Sequence, residues 1–320
     1  MKILNFTVSN YKSIADTMKI DFTYRTCIIG GRGQGKSNIL KALELFVRII
    51  QEQSISFITQ PLYFKLQDNY KNKPTTFSIS FRENNIVYNY ELSIIFKGGK
   101  YDIIKDTGID KLQKISKFFV FDLDSRARSD SKHPKTYQII KKVLDDEKRK
   151  KFVLSFLNRC TEKVVDIKAG EFFDINVVFK DNHDKEVSIP LEETGRGITA
   201  IIVMLSNIYE TKGRGVYVID DIDDSLDLAT IEEIIFDILH YKHKKTILFT
   251  SSSPLWLTNL EIKKIWMMDK EFGGTYITNL KEKIECYTCL NESDKNFREE
   301  LLQEYYIGHL GGISLIYKKD

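Results

Sequence analysis

The stretch IIGGRGQGKSN at residues 28–38 constrains the fold of this chain more than any other part of its sequence. It has the spacing G-x-x-x-x-G-K-[ST], with the first glycine at Gly30 and the closing Lys-Ser pair at residues 36–37. An apolar run at 27–29 precedes it, and apolar residues recur at helical spacing from 37 to 51. The pattern therefore predicts a glycine-rich loop between a buried strand and an amphipathic helix. A chance glycine-rich turn is the alternative, and it leaves the strand before and the helix after unexplained.

Such a loop is suited to binding phosphate. Glycine adopts positive φ and allows close approach, so backbone N–H groups can turn inward around an anion. The N-terminus of the following helix adds further donors and a favourable dipole. We predict that Lys36 reaches the β- and γ-phosphates of a nucleotide and that the Ser37 hydroxyl holds Mg²⁺. The predicted phosphate-binding residues are Gly30, Gly31, Arg32, Gly33, Gln34, Gly35, Lys36, Ser37 and Asn38.

Composition indicates a globular cytoplasmic protein. The chain has 320 residues, of which 42% are hydrophobic and 29% charged, which is typical of a folded domain with a sizeable core. The net charge of +3 is too small to indicate nucleic-acid binding. The N-terminal sequence lacks the apolar segment of a signal peptide, and no apolar run is long enough to span a membrane.

The cysteines leave one question open. Cys286 and Cys289 form a single C-x-x-C, and a structural zinc site needs two more ligands. His240 and His243 could supply them, although ordinary reduced thiols are the favoured interpretation. The role of Cys286 and Cys289 is not decided by the sequence, and a metal assay on the purified protein would decide it.

The order of predicted elements indicates an α/β fold. Strands alternate with helices at both ends of the chain, which favours a P-loop NTPase core with a mostly parallel sheet. Between them, the alternating runs at 77–82 and 86–96 predict a hairpin and an antiparallel β subdomain, and residues 136–160 predict a helical insertion. Further strands are predicted at 3–8, 18–22, 117–121, 172–189 (a pair), 216–219, 246–249 and 264–268, helices at 228–241 and 293–306, and irregular segments at 53–76 and 124–135.

We predict one domain spanning residues 1–320. Its predicted parts are a P-loop lobe with the β subdomain at 1–115, an insertion of helix and strands at 116–190, and a second lobe at 191–320. The second lobe contains VYVIDDIDDSLD at residues 216–227, in which four apolar residues lead directly into a pair of aspartates. We predict that Asp220 binds Mg²⁺ and that Asp221 polarises the attacking water as a general base. A solvated acidic turn is the alternative interpretation.

Taken in order, these motifs resemble the ABC-type ATPase head found in SMC-like, RecF-like and OLD-type proteins. VSNYKSIADTMKIDF resembles the N-terminal strand of that group, and IIGGRGQGKSNILKAL resembles its P-loop and first helix. LEETGRGITAIIVML resembles the signature motif, IDDIDDSLD the Walker B segment followed by a D-loop, and LFTSSSPLWL the switch strand. The similarity covers residues 1–50 and 190–255.

The resemblance implies a head-to-tail homodimer, or a higher homo-oligomer, that binds ATP and Mg²⁺ between its subunits. Thr194, Gly195 and Gly197 would then face the γ-phosphate of the nucleotide held by the other subunit. An ordinary loop remains the alternative interpretation of this segment.

Two departures from the family pattern predict slow hydrolysis. The family usually has Glu where this chain has Asp221, and His where this chain has Ser252 or Ser251. Aspartate is shorter by one methylene, and a serine hydroxyl donates a hydrogen bond without carrying charge. We therefore expect Lys36, Asp221 and Ser252 to support slow turnover, with ATP acting mainly as a dimerising switch.

The resemblance also implies a biological setting. Small ATPases similar to this group accompany a nuclease or toxin in bacterial anti-phage systems, so we expect a separate effector protein and no membrane partner. A RecF-like DNA-binding repair ATPase and a catalytically silent nucleotide-binding scaffold are the alternatives. The basic run at 141–151 and the residues Arg126, Arg128 and Lys132 could contact nucleic acid, but acidic residues interleave the run, so a solvated helix face is favoured.

Overall fold

A computed structural model describes most of the chain. It covers residues 2–108, 116–123, 134–160, 164–171, 174–211, 215–224, 226–234, 245–271, 273–285 and 296–310. The strands are β1 (Lys2–Ser9), β2 (Met18–Asp21), β3 (Arg25–Ile29), β4 (Thr75–Glu83), β5 (Ile86–Lys97), β6 (Lys100–Asp106), β7 (Phe119–Asp122), β8 (Val164–Ala169), β9 (Ile175–Lys180), β10 (Glu186–Pro190), β11 (Val216–Ile219), β12 (Thr246–Ser251), β13 (Ile265–Glu271) and β14 (Gly274–Asn279). The α-helices are α1 (Lys36–Glu52), α2 (Pro134–Leu144), α3 (Glu147–Cys160), α4 (Arg196–Glu210), α5 (Leu228–Glu233), α6 (Leu255–Asn259), α7 (Leu280–Glu285) and α8 (Phe297–Tyr306).

The chain forms two compact units. The first contains Met1–Leu123, Val218–Ile222 and Thr246–Asp320, and the second contains Asp124–Tyr217 and Asp223–Lys245. The predicted division of one domain into three parts stays a prediction. None of the described helices is both long and apolar enough to cross a membrane.

The core of the first unit is a six-stranded sheet with the order β14-β13-β3-β12-β11-β7. β3 lies between β12 and β13 and is parallel to both. Every residue of β3, β11 and β12 is buried, as expected for parallel strands covered on both faces. The predicted α/β fold with a mostly parallel core sheet is confirmed.

A second sheet of the first unit is antiparallel, with the order β2-β1-β4-β5-β6. β4 alternates buried and half-buried residues, which fits a sheet with one face on the core. The turn between β4 and β5 uses Asn84 and Asn85, whose φ angles are 48° and 64°. Positive φ at both central residues is typical of a two-residue hairpin, and the predicted hairpin forms there.

The second unit contains the three-stranded sheet β10-β9-β8 and the helices α2 to α5. The helical insertion predicted over 136–160 consists of two helices, because α2 ends at Leu144 and α3 begins at Glu147. The side chain of Asp146 explains the break. Its Oδ1 accepts hydrogen bonds from the N–H groups of Lys148 and Arg149, at 3.0 and 3.2 Å, and so caps a new helix.

Candidate nucleotide-binding site

The glycine-rich loop runs from the end of β3 into the start of α1. Gly33 and Gly35 have φ angles of 79° and 101°, a region that residues with side chains rarely adopt. A Cβ at Gly35 would also lie 2.6 Å from Thr275 Oγ1 and 2.8 Å from Ser13 Oγ, so the loop passes very close to its support. Both glycines are therefore required by the backbone path. Arg32 and Gly33 are the exposed residues of this loop.

Lys36 is folded into the loop that precedes it. The residue is only 6% exposed, and Nζ donates hydrogen bonds to Gly30 O at 2.8 Å, Gly31 O at 3.3 Å and Ser252 Oγ at 3.0 Å. The ammonium group thus links two segments of the predicted site, namely the loop after β3 and the segment after β12. Ser37 and Asn38 lie in the first turn of α1 and are half-buried.

Gln34 is the buried residue at the centre of the loop. It is 4% exposed, and its Oε1 accepts a hydrogen bond of 2.6 Å from Gly31 N. Its own carbonyl oxygen lies 3.0 Å from Thr275 Oγ1. Thr275 and Ser13 share a hydrogen bond of 2.9 Å between their hydroxyl groups, and Asn38 Nδ2 donates to Ser13 Oγ at 2.7 Å. Sequence reasoning predicted none of the supporting roles of Gln34, Thr275 and Ser13.

The two predicted aspartates lie at the end of β11, next to β12. Asp220 is 7% exposed, and its Oδ1 accepts a hydrogen bond of 2.5 Å from Thr250 Oγ1. Asp221 N donates to the same Thr250 oxygen at 2.7 Å. Asp221 has a φ angle of 44°, and its Oδ1 is buried. One threonine hydroxyl therefore fixes both aspartates, and the sequence gives no signal for it beyond its place near the end of a buried strand.

The two serines considered for the switch position have different surroundings. Ser252 contacts Lys36, as described above. Ser251 is completely buried, and its hydroxyl accepts hydrogen bonds from Trp256 Nε1 at 2.7 Å and Ser253 N at 2.8 Å. The side chain of Ser252 thus contacts the loop, whereas the side chain of Ser251 packs in the core and only its carbonyl oxygen meets Gly30 N.

The donor set fits magnesium better than a metal held by protein alone. Within the described residues, no group of three or more His, Cys, Asp or Glu side chains could hold a metal ion. Mg²⁺ is commonly bound by one or two carboxylates together with substrate phosphates and water. The Asp220 carboxylate and the Ser37 hydroxyl would be the protein donors of such a site.

A cavity of about 230 Å³ has Thr275 in its wall. It is lined by residues 15–17 before β2 and by Met18 at its start, by Phe64 and Tyr70, and by Glu271, Gly274 and Tyr276 near Thr275. Tyr70 donates a hydrogen bond of 2.7 Å to Asp16 Oδ1 at this cavity. Because Thr275 contacts Gln34 O as well, the cavity and the loop share one supporting residue.

The predicted signature segment lies in the second unit, at the start of α4. Thr194 Oγ1 donates to Leu191 O at 2.8 Å, and Gly195 precedes the helix with a φ angle of 92°. Gly195 is exposed, and a Cβ there would meet nothing within 4 Å. Gly197 lies in the first turn of α4, whose residues from Thr199 to Asn207 are buried.

Some predicted features lie outside the described residues. These are the possible zinc ligands, Ser225 of the predicted D-loop, and most of the segment predicted as irregular after β7. They are Cys286, Cys289, His240, His243, Ser225 and residues 124–133.

Comparison with known proteins identifies one family and one fold. The sequence model of the AAA ATPase domain family matches residues 1–168, which is more than half of the chain. No curated protein sequence matches the chain.

Solved structures of SMC head domains have a similar fold. The Smc head bound to the C-terminal winged-helix domain of ScpA has a TM-score of 0.66 and covers 89% of this chain and 100% of its own. The SMC head domain from Thermotoga maritima has a TM-score of 0.54, covering 87% and 99%. The Smc head from Pyrococcus furiosus, with an extended coiled coil and bound to the C-terminal domain of ScpA, has a TM-score of 0.59, covering 89% and 98%. Sequence identity is 14% in each case, so the likeness is one of fold.

Proposed function

Because this chain belongs to the AAA ATPase domain family, we propose that it binds ATP with Mg²⁺ and hydrolyses it slowly. One observation carries this proposal. Lys36 Nζ lies between the carbonyl oxygens of the glycine-rich loop and the hydroxyl of Ser252. β3, β12 and β11 are neighbours in the sheet, so the loop, the switch serine and the aspartate pair follow adjacent strands.

Each residue has a proposed task at this edge of the sheet. The N–H groups of the loop and of the first turn of α1 would surround the phosphates, and Lys36 would turn from the loop carbonyls to the β- and γ-phosphate oxygens. Ser37 and Asp220 would hold Mg²⁺, which neutralises charge on those oxygens when it is bound. Asp221 would orient the attacking water and accept its proton.

The nucleoside is proposed to lie in the cavity beside Thr275. Lys36 and Ser252 mark the γ-phosphate end of the site, while Asn38 and Ser13 lie on the side of Thr275 and the cavity. The carboxylate of Asp16 lines this cavity, which suits a base rather than another phosphate.

We propose slow turnover for two chemical reasons. The shorter side chain of Asp221 would place the water less well than a glutamate, and Ser252 would meet the γ-phosphate with a neutral hydroxyl. Neither change weakens the binding of the phosphates, which rests on the loop and Lys36.

ATP is proposed to join two copies head to tail, with Thr194, Gly195 and Gly197 of each copy facing the nucleotide of the other. Two of the SMC heads of similar fold are complexes with a domain of ScpA. By analogy we propose a protein partner for this chain, namely a separate effector such as a nuclease or toxin in anti-phage defence. The support for that setting is the sequence resemblance alone.

Ion pairs weigh against the DNA-binding alternative. In the run at 141–151, Lys142 pairs with Glu210 at 2.9 Å and Lys150 with Asp166 at 2.6 Å. Arg149 pairs with Asp146 at 3.2 Å. Cations that already have acidic partners are poorly suited to releasing counterions from a phosphate backbone.

The test is a comparison of ATP binding and turnover. The wild-type protein is expected to bind ATP and to turn over well below about 10 s⁻¹, a typical enzyme value. Lys36→Ala should lose both ATP binding and ATP turnover. Lys41→Ala, the same change at an exposed position of α1, should keep both. Asp221→Asn should bind ATP without hydrolysing it. Wild-type protein that fails to bind ATP and Mg²⁺ would overturn the proposal. ATP binding without turnover would favour the alternative of a catalytically silent nucleotide-binding scaffold.

A further inference from the structure

Gln34 is held from two sides at the middle of the glycine-rich loop. Its side-chain oxygen accepts a hydrogen bond of 2.6 Å from the N–H of Gly31, which joins two parts of the loop. Its backbone carbonyl lies 3.0 Å from the hydroxyl of Thr275, which belongs to β14 on the far side of the loop. The loop is therefore tied both internally and to the sheet through a single residue.

Thr275 is itself firmly placed. Its backbone N–H donates to Ser13 O at 2.7 Å, and it forms a parallel bridge with Ile14. Its hydroxyl also shares a hydrogen bond with Ser13 Oγ. Because the backbone of β14 is anchored independently, the hydroxyl of Thr275 can be removed without displacing the strand. The close approach of Gly35 to this hydroxyl indicates that the loop is shaped against it.

We propose that Gln34 and Thr275 are positioning residues that keep the loop in its phosphate-binding shape before a nucleotide arrives. This proposal rests on the proposed nucleotide binding and assigns these two side chains a role in it. A loop that is already ordered loses less conformational freedom on binding, so the ligand binds more tightly. Neither side chain needs to touch the nucleotide for this effect.

The first test uses a matched pair of substitutions at Thr275. Thr275→Val keeps the shape of the side chain and removes the hydroxyl, whereas Thr275→Ser keeps the hydroxyl. The Kd for ATP in the presence of Mg²⁺ should rise about tenfold in Thr275→Val, which corresponds to one hydrogen bond, and should stay close to wild type in Thr275→Ser. Because the substitution changes the shape of the loop in the nucleotide-free protein and not the hydrolysis step, KM for ATP should rise while kcat at saturating ATP changes little.

Thr75→Val is the control for loss of stability. Thr75 is also a buried strand threonine, and its hydroxyl donates to a carbonyl, Asn10 O, at 2.8 Å away from the loop. Both valine variants should lower the unfolding midpoint, but only Thr275→Val should weaken ATP binding. Inorganic tripolyphosphate should lose affinity by the same factor as ATP, because the loop binds phosphate rather than the base.

The second test concerns the coupling between the two residues. Gln34→Met is close to isosteric and removes the acceptor for Gly31 N. Both side chains act through one loop. The double variant Gln34→Met with Thr275→Val should therefore lose less ATP-binding free energy than the sum of the losses in the two single variants. Deuterium exchange of the nucleotide-free protein should be faster at Gly31 in each single variant.

The outcomes separate this proposal from the one on which it rests. Equal ATP affinity in wild type and Thr275→Val, or loss of affinity in Thr275→Ser as well, would overturn the positioning role and leave ATP binding intact. A wild-type protein that binds neither ATP nor tripolyphosphate would overturn both.

Discussion

At the scale of single residues, Thr250 explains why two neighbouring aspartates have different geometry. Its hydroxyl donates to the carboxylate of Asp220 and accepts from the backbone N–H of Asp221. A positive φ at a residue other than glycine costs on the order of 1 kcal/mol, so Asp221 needs a fixed contact to stay there. The Thr250 hydroxyl supplies this contact, and it meets a different group of each aspartate: the carboxylate of Asp220 and the backbone N–H of Asp221.

Removing this hydroxyl should therefore impair hydrolysis more than nucleotide binding. In Thr250→Val we expect kcat to fall by about tenfold or more and the Mg²⁺ concentration for half-maximal activity to rise, because both aspartates lose their shared partner. Thr250→Ser, which retains the hydroxyl, serves as the control. A steady-state titration with Mg²⁺ measures both effects, and unchanged kcat in Thr250→Val would contradict the role given to this residue.

Lys245 in the second unit predicts a pH dependence of stability. Burial, together with the charge of Arg149, lowers its pKa from 10.5 to about 8. The unfolded chain then holds more protons than the folded protein between pH 8 and 10.5, so the Lys245 contribution to stability rises with pH across that window. Lys245→Met should remove this rise.

The measurement is urea unfolding at several pH values. The slope of unfolding free energy against pH between about 8 and 10 should be smaller in Lys245→Met than in wild type. Lys185→Met, at an exposed lysine of the hairpin between β9 and β10, should keep the wild-type slope. An identical slope in all three proteins would show that Lys245 is protonated alike in the folded and unfolded states.

At the scale of elements, the cavity beside Thr275 offers a test of where the nucleoside binds. Thr17 is an exposed residue of the cavity wall, so a large side chain can fill the space from the solvent side. We expect Thr17→Trp to weaken ATP binding by about tenfold or more and to leave tripolyphosphate binding unchanged. Titration calorimetry with each ligand measures this difference.

Lys19→Trp provides the matched control, because Lys19 is exposed on β2 and is absent from the cavity wall. It should bind both ligands as the wild type does. Equal ATP affinity in Thr17→Trp and wild type would place the nucleoside elsewhere.

The elements also show how far the sequence predicts this fold. The loop, α1, the β4–β5 hairpin and the buried strands were predictable because each has a strong local pattern, such as the fully apolar VYVI of β11. β6, β8 and β14 were not predicted. β14, GTYITN, is short and half-polar, and its strand character comes from pairing with β13.

The residues of the candidate site also fall into those that a local sequence pattern predicts and those that it does not. Lys36, Asp220 and Ser252 were predictable from motif order, and their roles stay predictions. The support given by Thr275 to Gln34 was not predictable, because the two residues are 241 positions apart and Thr275 belongs to no motif. Contacts between residues far apart in sequence leave no periodic signal in either segment.

At the scale of the whole molecule, the proposed dimer has a test in the second unit. Gly197 lies in the first turn of α4, where a carboxylate favours the helix but repels a phosphate. In an Asp221→Asn background, ATP and Mg²⁺ should produce a dimer, and Gly197→Glu should remain monomeric while still binding ATP. Gly197→Ala tests for the effect of a side chain alone and should still dimerise.

Analytical ultracentrifugation with and without ATP distinguishes these results. Dimers of Gly197→Glu equal in amount to those of the Asp221→Asn parent would show that this segment does not face the nucleotide of another copy. The absence of an ATP-dependent dimer in the parent would leave ATP binding standing as a property of the single chain.

The position of β3 has a consequence for the order in which the protein can assemble on the ribosome. Both neighbours of β3 in the sheet, β12 and β13, lie more than 200 residues later in the chain. At a synthesis rate of roughly 5–20 residues per second, β3 waits about 10 s or more before either partner has been made. The loop that follows it gains its contacts with Ser252 and Thr275 later still. A nascent chain should therefore be unable to capture ATP until it has been translated through Thr275.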